Sequence, residues 1–271
     1  MVTETPLQAY MRDRDDTSQE NLIHSDSGAR AYGYSGALIT GSVVYAWCVP
    51  TILEALGADW MREGWAELDF RRPVYPDDAV TVRIDPSDAE GHPFTVTGAL
   101  DAVCISGAVG TGRGAWIRDH VQAQAGTPVP PPEPRPVLRL AEAPVGQDLP
   151  ALLTPTSSEG ARRPEELRPQ HGRVPLLVDG EALVSPAYLA GRMSWYMHSL
   201  YDYEGPSIHV ASRIQHLDVV RAGSPLAIAG HLREAFERKG HHYAVVDGSM
   251  YVDGRLVVLA RHTVIFKVGS R

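Results

Sequence analysis

The stretch SVVYAWCVPTILEAL, Ser42 to Leu56, is apolar on nearly every face of a helix. Val43, Val44, Tyr45, Trp47, Ile52 and Leu53 leave no polar stripe for solvent, so a helix of this kind has to be enclosed. The sequence that follows reads as strands, which makes a sheet the enclosing element. Pro50 falls inside the run and predicts a kink or a shortened helix. Leading into it is NLIHSDSGARAYGYSGALITG, Asn21 to Gly41. An Asn and a His three residues apart precede a short helix pattern, Ser27 to Tyr32, with Asp26 as its expected N-cap. A Gly-bounded turn then opens the long helix. This layout sets a titratable His beside a helix amino end, where a carbonyl oxygen can be held and a proton moved.

The order of elements occurs twice. In the first pass the helix-like run leads to Trp65–Phe70, then Pro73–Asp78, Ala79–Arg83, Phe94–Ala102 and Gly107–Ile117. In the second, a helix-like run over Pro186–Tyr201 leads to Ile208–Ile214, Val219–Ser224, Pro225–Ala229, His242–Tyr251 and Leu256–Lys267. Phe70 and Ile214 align at an offset of 144 residues, and the neighbouring landmarks stay near it. The pattern is one internal duplication, a helix followed by an antiparallel meander. Val257, Leu259, Arg261, Thr263 and Ile265 alternate with Val258, Ala260, His262, Val264 and Phe266, as strand faces do. Asp253-Gly254 is a two-residue hairpin turn, with Lys239-Gly240 and Glu90-Gly91 at equivalent places one hairpin earlier. The intervening segment is rich in Pro and reads as a surface linker with short extended pieces. The expected organisation is therefore a first half over 1–121, a linker over 122–175 and a second half over 176–271.

Composition narrows the partners. The chain has 271 residues, 44% hydrophobic and 21% charged, enough for a sizeable core, and a formal net charge of -8. No Lys/Arg-rich run is present, which argues against nucleic acid. No apolar stretch approaches the ~18 residues that span a bilayer, so no membrane association is expected. The polar start and only two cysteines, Cys48 and Cys104, predict a reduced, cytoplasmic protein. Arg, Ala, Gly and Pro usage hints at a bacterial source of high GC content. No spacing among the His residues matches a metal site, so no metal is expected. The absence of a Gly-x-Ser-x-Gly elbow argues against a serine hydrolase.

Asn21-Leu22-Ile23-His24, followed by Ala31, Gly33, Gly36 and Gly41, resembles the MaoC-like family of acyl-thioester hydratases and dehydratases. Its signature runs Asp-x-Asn-Pro-Ile-His, then a helix, then a Gly opening the central helix. Phe70 to Asp78 resembles the family's next landmark, a strand ending in Pro-Val and a tight turn. Gly205 to Arg213 and Arg238 to His241 extend the likeness into the second half. The resemblance implies an α+β double hotdog: two halves, each a central helix wrapped by a curved antiparallel sheet, forming a pseudo-dimer. It also implies an acyl thioester of coenzyme A or of a carrier protein as substrate, with no cofactor beyond the coenzyme A that the substrate carries. A monomeric pseudo-dimer and a homodimer are both compatible with it.

His24 is the candidate general base and Asn21 its orienting or water-holding partner. The family's Asp is replaced by Gln19, an amide that positions water without taking its proton. Asp16, in the run with Asp13 and Asp15, is a carboxylate that a longer loop could bring into the vacant place. Gly41, Thr40, Gly36 and Tyr34 are the candidate oxyanion and substrate-binding residues, through main-chain N–H groups at the helix start. Met193, Trp195 and Tyr196 read as core, with an acyl-tunnel lining as the alternative. The retained His and the missing Asp tilt the expectation to an acyl-CoA thioesterase in a specialised bacterial pathway. A MaoC-type enoyl-CoA hydratase or 3-hydroxyacyl dehydratase is the close alternative, and a non-catalytic acyl-thioester-binding hotdog protein the second.

Overall fold

A computed structural model describes residues 1–11, 14, 21–87, 90–154, 156, 177–178 and 181–269. The first half consists of β1 (Thr3–Gln8), α1 (Asp26–Ala31), α2 (Gly41–Leu56), α3 (Trp60–Glu63), β2 (Gly64–Phe70), β3 (Ala79–Ile84), β4 (His92–Thr97) and β5 (Val103–Thr111). The rest supplies β6 (Gln147–Thr154), the small ribbon β7 (Leu177–Val178) and β8 (Glu181–Ala182), α4 (Pro186–Leu200), β9 (Ile208–His216), β10 (Leu226–Arg238), β11 (His241–Val252) and β12 (Arg255–Lys267). The fold is α+β. Among the described residues, ten strands form one antiparallel sheet in the order β1-β3-β4-β5-β2-β9-β12-β11-β10-β6.

That order is a palindrome of equivalent strands about the β2–β9 pair. Leu68 is paired with Ser212, and these two residues are 144 apart, the offset of the duplication. The pseudo-twofold axis therefore passes through the Leu68/Ser212 pair. On the outer face, the Arg213 guanidinium bridges both carboxylates of β2, reaching Glu67 and Asp69 at 2.9 Å each. The seam is held by ladder hydrogen bonds and by this guanidinium bridge, whose hydrogen bonds are charge-assisted.

The sheet wraps α2 and α4, which lie against each other at its hollow face. At their crossing, a Cβ on Gly191 would sit 3.2 Å from the Ser42 side chain, so the small residue permits the close approach. Tyr45, Ile52, Met193 and Tyr196 are fully enclosed, as the all-round apolar pattern of Ser42–Leu56 requires. Tyr196 donates from its hydroxyl to the Pro150 carbonyl at 2.7 Å, which satisfies the one polar atom it buries.

Several sequence expectations change. Helix α2 runs through Pro50 to Leu56, so the proline does not end it; burial on all sides holds the turn that Pro weakens. The strand expected over Phe94–Ala102 stops at Thr97, and Ala99–Asp101 forms a turn in which Leu100 and Asp101 have positive φ. The strand expected over Gly107–Ile117 begins at Val103 and ends at Thr111. Of the segment 122–175, residues 122–154 and 156 are described, and there the Leu138 N–H is bonded to the Asp202 carbonyl at 2.9 Å. The segment also supplies β6, which pairs with β10 as β1 pairs with β3. Thr3 and Gln147, the first residues of β1 and β6, are again 144 apart.

Candidate functional site

The loop carrying His24 is assembled from short-range hydrogen bonds. Leu22–His24 form one 3-10 turn, and Ser25, not Asp26, caps α1, its Oγ accepting from the Gly28 N–H at 3.3 Å. Asp26 is the first residue of α1 and bonds elsewhere: Oδ1 accepts from the Ala37 N–H at 2.7 Å, and Oδ2 pairs with Arg30 at 3.4 Å. Gly28 has no space for a side chain, because a Cβ there would meet the Leu22 carbonyl oxygen at 2.2 Å. With Ala37 pinned, the Leu38 N–H donates to Ile23 at 2.9 Å. The Leu38 carbonyl then lies 2.7 Å from His24 Nδ1. A carbonyl only accepts, so Nδ1 carries the proton and Nε2 is left with its lone pair. Burial holds the His24 pKa below 6.5, and the Leu38 carbonyl offsets part of that shift. The group is a neutral base at pH 7.

His24 lines a cleft of about 640 Å³ together with Asn21, Tyr34, Thr40 and Gly41. Thr40 accepts from the N–H groups of Val43 and Val44 at 2.9 and 3.1 Å. The N–H groups of Gly41 and Ser42 precede those two in the first turn, where helices leave donors unused. Gly36 does not line the cleft; its Cα faces Asp26, whose Oδ1 would lie 3.0 Å from a Cβ there. Gln19 and Asp16, with Asp13 and Asp15, lie outside the described residues. Asn21 reaches into the second half: its Nδ2 donates to the Ser207 carbonyl at 2.8 Å and lies 3.2 Å from Ser207 Oγ.

The second half contributes a wall that the sequence reading passed over. Ser194 and His198 of α4, His209 of β9 and His262 of β12 all line the cleft. Ser194 and His198 are four residues apart on one helix face, a spacing visible in the sequence. Met193 and Tyr196 of the same helix are core, as expected of them. Burial lowers the His209 pKa to about 4. It lowers that of His262 well below 6.5, with His209 and His198 acting in the same direction. At the rim stand Arg71, tied to Asp69 at 2.9 Å, and the exposed Arg72. Among the described residues no group of three or more His, Cys, Asp or Glu is placed to hold a metal ion. Nor is any described helix long and apolar enough to cross a membrane.

By sequence, the chain matches no family model and no curated protein. By structure, it is similar over nearly its whole length to several solved proteins. A MaoC-like dehydratase superposes with a TM-score of 0.61 at 13% identity, covering 98% of each chain. A Mycobacterium tuberculosis protein with a double hotdog fold gives 0.63 at 14% identity, covering 98% of this chain and 95% of that one. A protein assigned as an oleoyl thioesterase from Lactobacillus plantarum gives 0.52 at 12% identity, covering 99% and 97%. At such identities the likeness establishes the fold: the chain is a double hotdog, the architecture that MaoC-like dehydratases and hotdog thioesterases share.

Proposed function

We propose that the protein hydrolyses an acyl thioester of coenzyme A or of a carrier protein, with His24 as general base. The observation that carries this reading is the tie from His24 Nδ1 to the Leu38 carbonyl at 2.7 Å, which leaves Nε2 unprotonated in a cleft that also contains the start of α2. In the reaction, water attacks the thioester carbonyl carbon and passes its proton to Nε2. The tetrahedral oxyanion is stabilised by the N–H groups opening α2. The C–S bond then breaks, and the leaving sulfur takes the proton back from His24. A thiol of pKa ~8.5 leaves readily, so one base and one oxyanion site suffice. Arg71 and Arg72 at the rim suit an anionic carrier. General-base catalysis contributes roughly 10²–10⁴-fold, and one oxyanion donor about 10²–10³-fold.

Hydration or dehydration is the second reading. It asks for a proton donor as well as a base, and a specific observation favours it: the His198 imidazole lines the same cleft, with Nε2 2.9 Å from Ser207 Oγ. Saturated and 2-enoyl coenzyme A thioesters incubated with the protein and followed by mass separate the two. Release of acid and free coenzyme A supports hydrolysis; gain or loss of water with the thioester intact overturns it in favour of the lyase. In either case His24→Ala is expected to lower turnover by about 10²-fold or more while ligand binding persists. An unchanged rate in that variant removes His24 as the base, and no turnover of any thioester by the unaltered protein leaves only a binding role.

A further inference from the structure

The cleft wall donated by the second half is built in a way that an alkyl-binding wall is not. On β12, His262 belongs to the face turned toward the helices, and its cross-strand partner on β9 is Ser212. In a regular strand Val210, two residues before Ser212, would share that face, and His209 would point to the other. The β9–β12 ladder pairs Ala211 with Thr263 but His209 with Val264, so β9 carries one extra residue, Val210. This bulge reverses the alternation and exchanges an isopropyl group for an imidazole at the cleft. The geometry agrees: His209 Nε2 lies 2.8 Å from Ser212 Oγ, and its ring packs on His262 at 4.4 Å and on Phe70 at 4.5 Å.

The result is three imidazole–hydroxyl pairs along one wall: His209 with Ser212, His198 with Ser207 at 2.9 Å, and His262 with Ser194 at 3.4 Å. Facing them, the first half presents aliphatic groups such as Ile39, Val43, Val44 and Val74. Polar side chains cost stability when withdrawn from water unless they are bonded, and His262 Nδ1 is buried with no hydrogen-bond partner. An apolar wall would hold an alkyl chain at less cost. Burial keeps the His209 and His262 rings neutral, so they present N–H groups and lone pairs, not charge. Such groups match a neutral oxygen.

We infer that the acyl group bears a hydroxyl or carbonyl oxygen along its chain, bonded by the His209 and Ser194 wall opposite the His24 loop. The inference rests on the acyl-thioester reading above and adds the chemistry of the acyl group. It predicts weak binding of plain saturated chains.

Inert thioethers of coenzyme A test it without any turnover. S-hexyl-coenzyme A is compared by calorimetry with analogues carrying a hydroxyl or oxo group at successive chain positions, and with one ending in a carboxylate. At least one hydroxyl or oxo analogue is expected to bind about tenfold more tightly than the hexyl thioether, the worth of one well-placed hydrogen bond. His209→Phe and Ser194→Ala should each narrow that preference while the hexyl thioether binds unchanged or better. Should His209→Phe fail to fold, Ser194→Ala carries the test alone. Equal or tighter binding of the hexyl thioether by the unaltered protein overturns the inference and leaves the thioester reading intact. Strongest binding of the carboxylate analogue overturns the neutral-oxygen class. No binding of any thioether overturns both the thioester reading and the inference.

Discussion

In the first half, the loop ahead of the central helix carries Asn21 and His24; 144 residues on, the chain reads Glu165 and Arg168. At the cleft the contrast runs the other way. The first half contributes mostly aliphatic wall besides its loop, and the second contributes Ser194, His198, His209 and His262. The strand order about the seam stays symmetric while the chemistry does not. Joining the copies in one chain makes this possible. In a dimer of identical chains every substitution appears twice, once in each site. In a fused pair one copy can keep the base while the other is reshaped to line the pocket. Three perturbations probe how far the halves have diverged.

The largest effect is expected from acid. His216 and His262 are buried, and burial lowers the His216 pKa to about 4 and that of His262 well below 6.5. Both belong to the second half. A depressed folded-state pKa gives stability that is fully present above ~6.5, the unfolded value, and is lost as pH falls toward the folded value, because the unfolded chain gains protons that the native state refuses. Each such His contributes a slope of about 1.4 kcal/mol per pH unit in that window. Urea unfolding at pH 7 and at pH 5 should therefore differ by roughly 2 kcal/mol from His216 alone, and His262 acts in the same direction. His216 Nε2 has no hydrogen-bond partner, and its ring meets Trp60 edge-on at 5.3 Å. His216→Phe keeps a ring there and should remove about one proton from the slope. An unchanged slope in that variant would place the acid sensitivity elsewhere.

The next effect concerns the contact between the halves at the cleft. A Cβ on Gly41 would lie 2.7 Å from the Phe70 ring, and that ring packs on His209. The glycine is needed first for this packing, ahead of any closer approach by substrate. Gly41→Ala should cost about 1–3 kcal/mol through overpacking, read as a lower Tm, and should slow turnover by tilting the start of α2. Adding Phe70→Leu makes room for the methyl group and should recover part of the loss. Simple additivity of the two substitutions would show that the Gly41–Phe70 contact carries no coupling.

The frame was legible in sequence because its signals are local. The all-round apolar run of Ser42–Leu56 announces an enclosed helix, and Asp253-Gly254 supplies the two positive-φ residues, at 49° and 75°, that its hairpin demands. The edge strands were hidden because each contains a proline, Pro6 in β1 and Pro150 in β6. Proline lowers the strand signal and is tolerated at an edge. Those prolines are themselves 144 apart, a signal that could have extended the duplication into the Pro-rich segment. Of the site, Asn21 and His24 were readable from their spacing ahead of a helix. His209 was not: a regular alternation turns it away from the cleft, and nothing local in the sequence marks the extra residue at Val210.

The smallest effect tests whether the two halves meet through Asn21. Its amide donates to the Ser207 carbonyl and approaches Ser207 Oγ, which in turn lies 2.9 Å from His198 Nε2. One side chain of the His24 loop is thus joined to a hydroxyl–imidazole pair of the other half. Asn21→Ala removes the amide and leaves the Ser207 carbonyl without that donor, which should cost about 1 kcal/mol of stability. Asn21→Ser at the same position is too short to span the gap and should behave like the alanine variant. If the bond only fastens the loop, both variants lose stability and turn over substrate with an unchanged acid limb, since the His24 tie to Leu38 stays in place. If the link also sets the protonation of His198, the rate profile shifts with pH in the Asn21 and His198 variants alike. Measuring rate against pH in both therefore separates a structural tie from a chemical one.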